Sequence, residues 1–330
     1  MYAVTIDTGT TNTRVYVWRD AEIIAEGFQP VGVRDTAITG SKEKLTLAVK
    51  AAIDEALEKA RITERGQMTF LASGMITSNV GLCEIPHLLA PAGKKELAQG
   101  MVKMELPEVL DQPIWFVPGV KNNVPEITLD TCEEMDVIRG EEVETVGVTE
   151  KLQLKGPAII ILPGSHSKLI GIDEHNRITG CVSTISGELL DVITRQTILA
   201  NALENSFATE VDEQVLLKGA HYAEKVGLGR TCFTLRILDM FSGMTINQKA
   251  NFLLGAVLAT DILAVKNSQA LRVNHDTHIV VCGKSILKLA LAALVKNDEY
   301  FTGPLTVMSD EHQAISGYGV IAIAREKGIL

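Results

Sequence analysis

Two halves of similar α/β construction are predicted for this chain, the first over residues 1–150 and the second over 151–330. Two observations carry that prediction. Each half opens on three short strand-forming runs joined by tight turns and then passes into helical segments, and a glycine stands in the first turn of each half, Gly9 and Gly164. With 330 residues, 46% hydrophobic and 22% charged, the chain is long enough and apolar enough to bury a core in each of two domains.

The elements follow in order. Residues 3–6 are apolar, 13–18 alternate β-branched and aromatic side chains, and a turn at Asp20 and Ala21 leads into 22–28, which together read as a three-strand meander. Over 42–62, Leu45, Val49, Ala52, Ile53, Ala56 and Leu57 recur at helical spacing among good helix formers. A short buried strand is expected at 68–72. The Pro- and Gly-marked stretch 79–130 holds a strand at 115–117, residues 131–149 are partly helical, and 151–157 form a linker or turn. The opening pattern then returns as strands at 158–162, 167–172 and 177–183. Helices are expected at 188–205, 212–226 and 248–267, followed by strand 278–282, helix 285–295, strand 305–308 and a closing helix at 311–327.

The two glycine turns carry the chemistry. In the first, Asp7-Thr8-Gly9-Thr10-Thr11-Asn12-Thr13-Arg14, Gly9 permits close approach by a ligand, and the backbone N–H groups of a tight turn converge on an anion. Thr8, Thr10, Thr11 and Asn12 add short hydrogen-bonding side chains suited to phosphate oxygens. Asp7, at the end of the preceding strand, would repel a polyphosphate unless a cation intervened, so the turn implies Mg²⁺ held through water. The bland alternative is a polar hairpin turn. The second turn, Pro163-Gly164-Ser165-His166-Ser167-Lys168, repeats the glycine and hydroxyls, lacks the carboxylate, and adds Lys168 as a point charge for phosphate. Two such turns in two repeated halves are more specific than either alone.

A net charge of −10 argues against nucleic-acid or anionic-membrane surfaces, which call for basic patches. Five scattered cysteines with no CxxC pair read as reduced thiols, and neither a leader pattern nor a run of about 18 apolar residues is apparent, so a cytoplasmic location is expected.

The first turn resembles the phosphate motif of the actin/hexokinase-like ATPases. Within them the chain is similar to the 2-dehydro-3-deoxygalactonokinase (2-keto-3-deoxy-galactonokinase) family. The stretches that carry the likeness are Pro30-Val31-Gly32-Val33-Arg34-Asp35, Val117-Pro118-Gly119-Val120, Asp136-Val137-Ile138-Arg139-Gly140-Glu141-Glu142, Leu162 to Lys168, and Ser186-Gly187-Glu188-Leu189. The resemblance implies two ribonuclease-H-like domains around a nucleotide cleft, with the sugar-acid site in the first half and the adenosine site in the second. It also implies phosphoryl transfer from MgATP to the terminal hydroxyl of 2-dehydro-3-deoxy-D-galactonate. One stretch departs from the family pattern. Where members carry Ser-Arg-x-Gly-Trp and then Ala-Pro-Tyr, this chain has Ser78-Asn79-Val80-Gly81-Leu82 and Ile85-Pro86-His87, which loses an Arg suited to a substrate carboxylate and leaves the acceptor open among related sugar acids.

Phosphoryl transfer needs a group to take the hydroxyl proton. Asp136, Glu141 and Glu142 are the candidates, and analogy within the superfamily favours Glu142, then Glu141. Their alternative role is to stabilise a helix N-terminus. Arg34, Ser78, Asn79 and Arg139 are expected to bind the sugar acid, and Gly283, between a strand and a helix, the adenosine. Gly317 and Gly319 would let the closing helix approach another. The expected partner is a small-molecule sugar acid, with a homodimer as the possible assembly. Two other functions remain on this fold: a phosphohydrolase acting on polyphosphate or nucleotide, and a non-catalytic nucleotide-gated scaffold.

Overall fold

The computed structural model describes residues 2–62, 65–66, 68–283, 286–309 and 314–330. The first half contains β1 (Tyr2–Thr8), β2 (Thr13–Arg19), β3 (Glu22–Gln29), α1 (Val33–Thr39), α2 (Glu43–Lys59), β4 (Met68–Gly74), β5 (Leu88–Leu89), α3 (Lys94–Gly100), β6 (Val102–Met104), β7 (Ile114–Phe116), β8 (Val120–Lys121), β9 (Val137–Ile138) and α4 (Glu141–Leu152). The second contains β10 (Ala158–Leu162), β11 (Ser167–Ile172), β12 (Ile178–Thr184), α5 (Ser186–Gln196), α6 (Glu213–Val226), α7 (Leu228–Phe241), α8 (Ile246–Asn267), β13 (His278–Val281), α9 (Ile286–Asn297), β14 (Leu305–Val307) and α10 (Ile315–Lys327).

Among the described residues the main sheets have orders β3-β2-β1-β4-β7-β6 and β12-β11-β10-β13-β14. Apart from the extra edge strand β6, the two share one topology. An antiparallel meander of three strands is extended by two strands parallel to its first, β4 and β7 in one half, β13 and β14 in the other. The repeated sequence pattern is therefore a repeated fold. Both glycine turns join the first two strands of their sheets, which places them at the same end of equivalent hairpins.

Three apolar layers hold the molecule together. The expected stripe of α2, Leu45 to Leu57, is buried against the first sheet with Val4, Val15 and Phe70. The helices α5, α6, α8 and α9 bury the outer face of the second sheet at Ile159, Ile161 and Val281. Between the sheets lies a layer made by α4 and α10, with Val143, Val146, Ile321 and Ile323 packed against Trp18 and Leu71 of the first sheet and Ile160 and Val280 of the second. The chain's last helix thus returns to the first half: the Trp18 ring meets Tyr318 edge-on at 4.8 Å, and Trp18 donates to Thr5 Oγ1 at 2.8 Å.

Residues 131–149 are helical in part, as expected: α4 begins at Glu141, after Gly140 at φ 117°. Helix α7 was not anticipated. α8 is no unbroken apolar run, but by length and composition it is apolar enough to cross a membrane; 78% of its apolar window is buried inside the protein, as in a core helix.

Candidate active site

Strand ends and helix starts converge between the two sheets. β1 delivers Asp7 and the turn Thr8-Gly9-Thr10. That turn is closed by a Gly9 N–H to Asn12 C=O bond of 2.9 Å and is pinned from outside by α1, whose Val33 and Arg34 amides donate to the carbonyls of Gly9 and Thr10. β4 ends at Gly74 (φ 86°), where a Cβ would lie 2.9 Å from Asp7 Oδ1, and a Cβ at Gly140, which precedes α4, would lie 3.3 Å from Gly74 Cα. No larger residue fits where these three ends meet. β10 and β11 bring the second turn from the opposite side.

The result is one cleft of about 520 Å³, lined from one half by Asp7, Thr8, Gly9, Thr10, Arg139 and Glu141 and from the other by Gly164, His166 and Lys168. Lys168 Nζ donates to Ser183 Oγ at 2.6 Å and reaches the Val137 carbonyl at 3.3 Å; His166 pairs with Glu188 at 2.9 Å.

Two neighbouring cavities adjoin the cleft. One, of about 260 Å³, shares Asp7 and Glu144 with the cleft and adds Arg14, Gly283 and Ser316. Arg14 stands opposite Asp7 in the β1–β2 register. Burial raises the Asp7 pKa, Arg14 opposes that shift, and Ser316 donates to Asp7 Oδ2 at 3.3 Å. The other, of about 240 Å³, is mostly apolar. Gly164 and Ser165 form its rim, and its walls come from α5 (Gly187, Leu190), α8 (Leu253, Leu254) and the start of α9 (Ile286, Leu287).

Several expected residues stand elsewhere. The order of the two glutamates is reversed: Glu141 lines the cleft, whereas Glu142 is fully buried behind it, with Oε2 accepting from the Gly140 N–H at 2.7 Å and Oε1 unpartnered. Burial, reinforced by Glu141, pushes the Glu142 pKa to about 8. Asp136 is taken up by the Ser183 N–H and hydroxyl and does not line the cleft. Nor do Thr11, Asn12, Ser167, Arg34, Ser78 and Asn79. Thr11, Arg34 and Asn79 are exposed, Ser78 is buried and donates to the Met75 carbonyl at 2.7 Å, and Ser167 is buried with its hydroxyl unpartnered. Arg139 lines the cleft, but its guanidinium bonds the carbonyls of Thr77 and Ile85 and the ring of His87. Burial, then Arg139, lowers the His87 pKa to about 4, so that ring is neutral. Of the Gly283-Lys284-Ser285 run, only Gly283 lies within the described residues.

Glu144, Arg14 and Ser316 were missed. Glu144 lines the cleft and the cavity beside it, and burial, with Glu141 and Asp7 adding to it, raises its pKa to about 8. A signal was available: Glu144 is three residues from Glu141, hence on the same helix face, whereas Glu142 is turned about 100° away.

Among the described residues no cluster of three or more His, Cys, Asp or Glu is placed to hold a metal ion. Asp7 and Glu141 line the cleft beside the first turn, and their carboxyl oxygens are of the kind a hard divalent cation takes when phosphate and water complete its shell.

A model of the 2-keto-3-deoxy-galactonokinase family matches residues 7–307. A Rhizobium meliloti protein provisionally named 2-dehydro-3-deoxygalactonokinase is 27% identical over 203 residues, which cover 61% of this chain and 59% of that protein, so the match spans about three fifths of the curated relative. A crystal structure from Sinorhizobium meliloti, given the same provisional name, superposes with TM-score 0.73 at 21% identity over 98% of both chains. The (R)-2-hydroxyglutaryl-CoA dehydratase component A of Acidaminococcus fermentans superposes with TM-score 0.50 at 16% identity, over 100% of this chain and 99% of that one. These two likenesses show the fold, which is the duplicated ribonuclease-H-like arrangement of the actin-like ATPases. A family match that begins at Asp7 and runs through both glycine turns to Val307 takes in every residue that lines the cleft, and the chain belongs to the 2-keto-3-deoxy-galactonokinase family.

Proposed function

We propose that the protein is an ATP-dependent kinase that phosphorylates the terminal 6-hydroxyl of 2-dehydro-3-deoxy-D-galactonate or a closely related sugar acid. The observation that carries this reading is the shared cleft: a glycine turn from each half, Gly9 and Gly164, faces one space together with Glu141 and Lys168.

In this reading ATP lies along the three connected spaces. The adenine enters the apolar cavity behind Gly164, between α5 and α8, where flat apolar surface is available. The phosphates pass between the two turns, whose backbone N–H groups supply donors, with Lys168 and Arg14 supplying positive charge from opposite sides. Gly283, which lines the same cavity as Asp7, sits beside the phosphates in this reading. Mg²⁺, held by Asp7 through water, would shield phosphate charge. The acceptor occupies the outer cleft near Met75, Arg139 and Glu141. Glu141 accepts the hydroxyl proton as the hydroxyl oxygen attacks in line. Arg139, already bonded to two backbone carbonyls, fixes the 75–87 segment against the acceptor and offers it the remaining guanidinium edge. Closing the cleft excludes water, which would otherwise take the phosphoryl group.

The two halves, 1–150 and 151–330, are read as two domains that share α4 and α10 as their common layer. For a homodimer, the exposed apolar stripe Phe233, Ile237, Met240 and Phe241 of α7 offers a contact surface, which light scattering on the purified chain would read.

The deciding assay is coupled ADP release with a panel of 2-keto-3-deoxy sugar acids. Turnover is expected only with members that carry a free terminal hydroxyl. ADP release that proceeds at the same rate without any sugar acid would overturn the kinase reading in favour of a phosphohydrolase.

A further inference from the structure

We infer that Asp261 is a positioning residue that ties α8 to α5 and thereby sets both the width of the apolar cavity and the height of the second glycine turn. The inference rests on the reading of that cavity and turn as the ATP site.

Asp261 lies in the C-terminal third of α8, among the buried Leu258, Ala259, Ile262 and Val265, and it is 0% exposed. An ionisable group in such a place is unfavourable unless it is hydrogen-bonded. Its Oδ1 accepts from the hydroxyl of Ser186, the first residue of α5, and Ser186 in turn lies 2.9 Å from Thr184 Oγ1. Its Oδ2 and the hydroxyl of Ser167 are both buried without a partner. Ser167 and Thr184 are paired across β11 and β12, so the carboxylate stands beneath the start of β11, directly after the second turn. Burial pushes the Asp261 pKa up, and the Ser186 hydroxyl draws it back.

From Ser186 the contact continues to the turn itself. At Gly187 a Cβ would come within 2.2 Å of the Gly164 carbonyl oxygen, and the Glu188 N–H donates to the Ser165 carbonyl at 3.0 Å. The first turn of α5 is therefore seated on Gly164 and Ser165 without slack. Gly187 and Leu190 of α5 form one wall of the apolar cavity, and Leu253 and Leu254 of α8 the other. Leu254 is seven residues, or about 10 Å of helix, from Asp261. The Asp261–Ser186 bond is the polar tie between these walls. A leucine at 261 would fill the space but would leave α5 free to slide on α8, carrying Gly187 and the turn with it.

The test uses the full chain with Asp261→Ala, Asp261→Asn and Ser186→Ala. The readouts are KM for ATP, KM for the sugar acid, and calorimetric affinity for the non-hydrolysable analogue AMP-PNP. Asp261→Ala is expected to weaken ATP and AMP-PNP by about tenfold while KM for the sugar acid stays within about twofold, as loss of one charge-assisted tie on the nucleotide side implies. Asp261→Asn, whose amide oxygen can still accept from Ser186, should recover most of that loss. Ser186→Ala should reproduce part of it, and it carries the test if Asp261→Ala does not fold.

AMP-PNP affinity unchanged in Asp261→Ala or Ser186→Ala, or both KM values rising together, would overturn the inference. Failure of the kinase reading looks different: the wild-type chain binds AMP-PNP yet turns over no sugar acid, and the affinity comparison still decides the role of Asp261. A wild-type chain that does not bind AMP-PNP overturns both.

Discussion

Three glutamates occupy the first turn of α4, and the geometry of a helix sends them to different places. Glu141 faces the cleft, with Oε2 accepting from the Arg139 N–H at 2.9 Å. If it takes the proton of the attacking hydroxyl, Glu141→Gln should lower kcat by about 10²–10⁴-fold and leave KM for ATP nearly unchanged, and steady-state kinetics would read this split. An intact kcat would remove Glu141 from the mechanism. Glu142 predicts something else. Its pKa is raised from 4.5 to about 8 by burial, so between these values the folded chain holds a proton that the unfolded chain has released. Stability from this group is therefore fullest below about pH 4.5 and declines as pH rises toward 8. Glu142→Gln keeps an acceptor for the Gly140 N–H and carries no charge. Its melting temperature should exceed that of the wild type by a few degrees near pH 8 and by little near pH 5. A difference that does not change with pH would sink this account. The identity of the turn residues Asp7, Gly9, Gly164 and Lys168 was legible in the sequence because spacing alone puts them in equivalent hairpins. The choice among Glu141, Glu142 and Glu144 was not, because it depends on where α4 begins, and only the backbone at Gly140 decides that.

At the scale of elements, the contact between α4 and α10 is the tightest in the middle layer. A Cβ at Gly319 would fall 1.7 Å from the Val143 carbonyl oxygen, and one at Gly147 2.3 Å from that of Ile315. Both obstacles are backbone, so neither can rotate away. Gly319→Ala should cost about 1–3 kcal/mol of stability, the range for overpacking in a filled core. Because the separation must also tilt α4, whose first turn carries Glu141 and Glu144, kcat should fall with it. Denaturant melts beside steady-state kinetics would test this, and a variant as stable and active as the wild type would refute it. Helices α2 and α6 were readable because each buries one periodic face, and α8, α9 and β10 because they are apolar almost throughout. Helix α7 was not. Gly229, Thr231, Cys232 and Thr234 dilute its helix propensity, and much of its apolar surface faces solvent, so no single buried stripe marks it.

For the whole molecule, duplication was legible and the joint between the halves was not. Trp18 and Tyr318 touch across nearly the full length of the chain, and no local pattern announces such a contact. A second joint lies on the far side of the cleft, where the outer edge of β12 would otherwise expose unpaired backbone groups. The first half covers that edge by three means. Ala92 pairs with Ile178 as a β-bridge, the Asp136 carboxylate takes the Ser183 N–H, and the buried Asn122 acts as a short stretch of mock strand. Asn122 Oδ1 accepts from the Cys181 N–H at 2.8 Å, and its Nδ2 donates to the carbonyls of Cys181 at 2.9 Å and Glu134 at 2.7 Å. These contacts hold Val137 where Lys168 reaches it, so the edge cover also sets the spacing of the two cleft walls. Asn122→Ala strands the N–H and C=O of Cys181 in a buried place, which should cost about 2–3 kcal/mol. It should also loosen one wall against the other. A cleft that no longer seals admits water, so ADP release without sugar acid should rise relative to sugar-dependent turnover, although no residue that touches substrate has changed. Measuring the two rates side by side separates this from simple destabilisation, which would lower both together. If their ratio stays at the wild-type value while the melting temperature falls, Asn122 covers a sheet edge and has no part in closing the cleft.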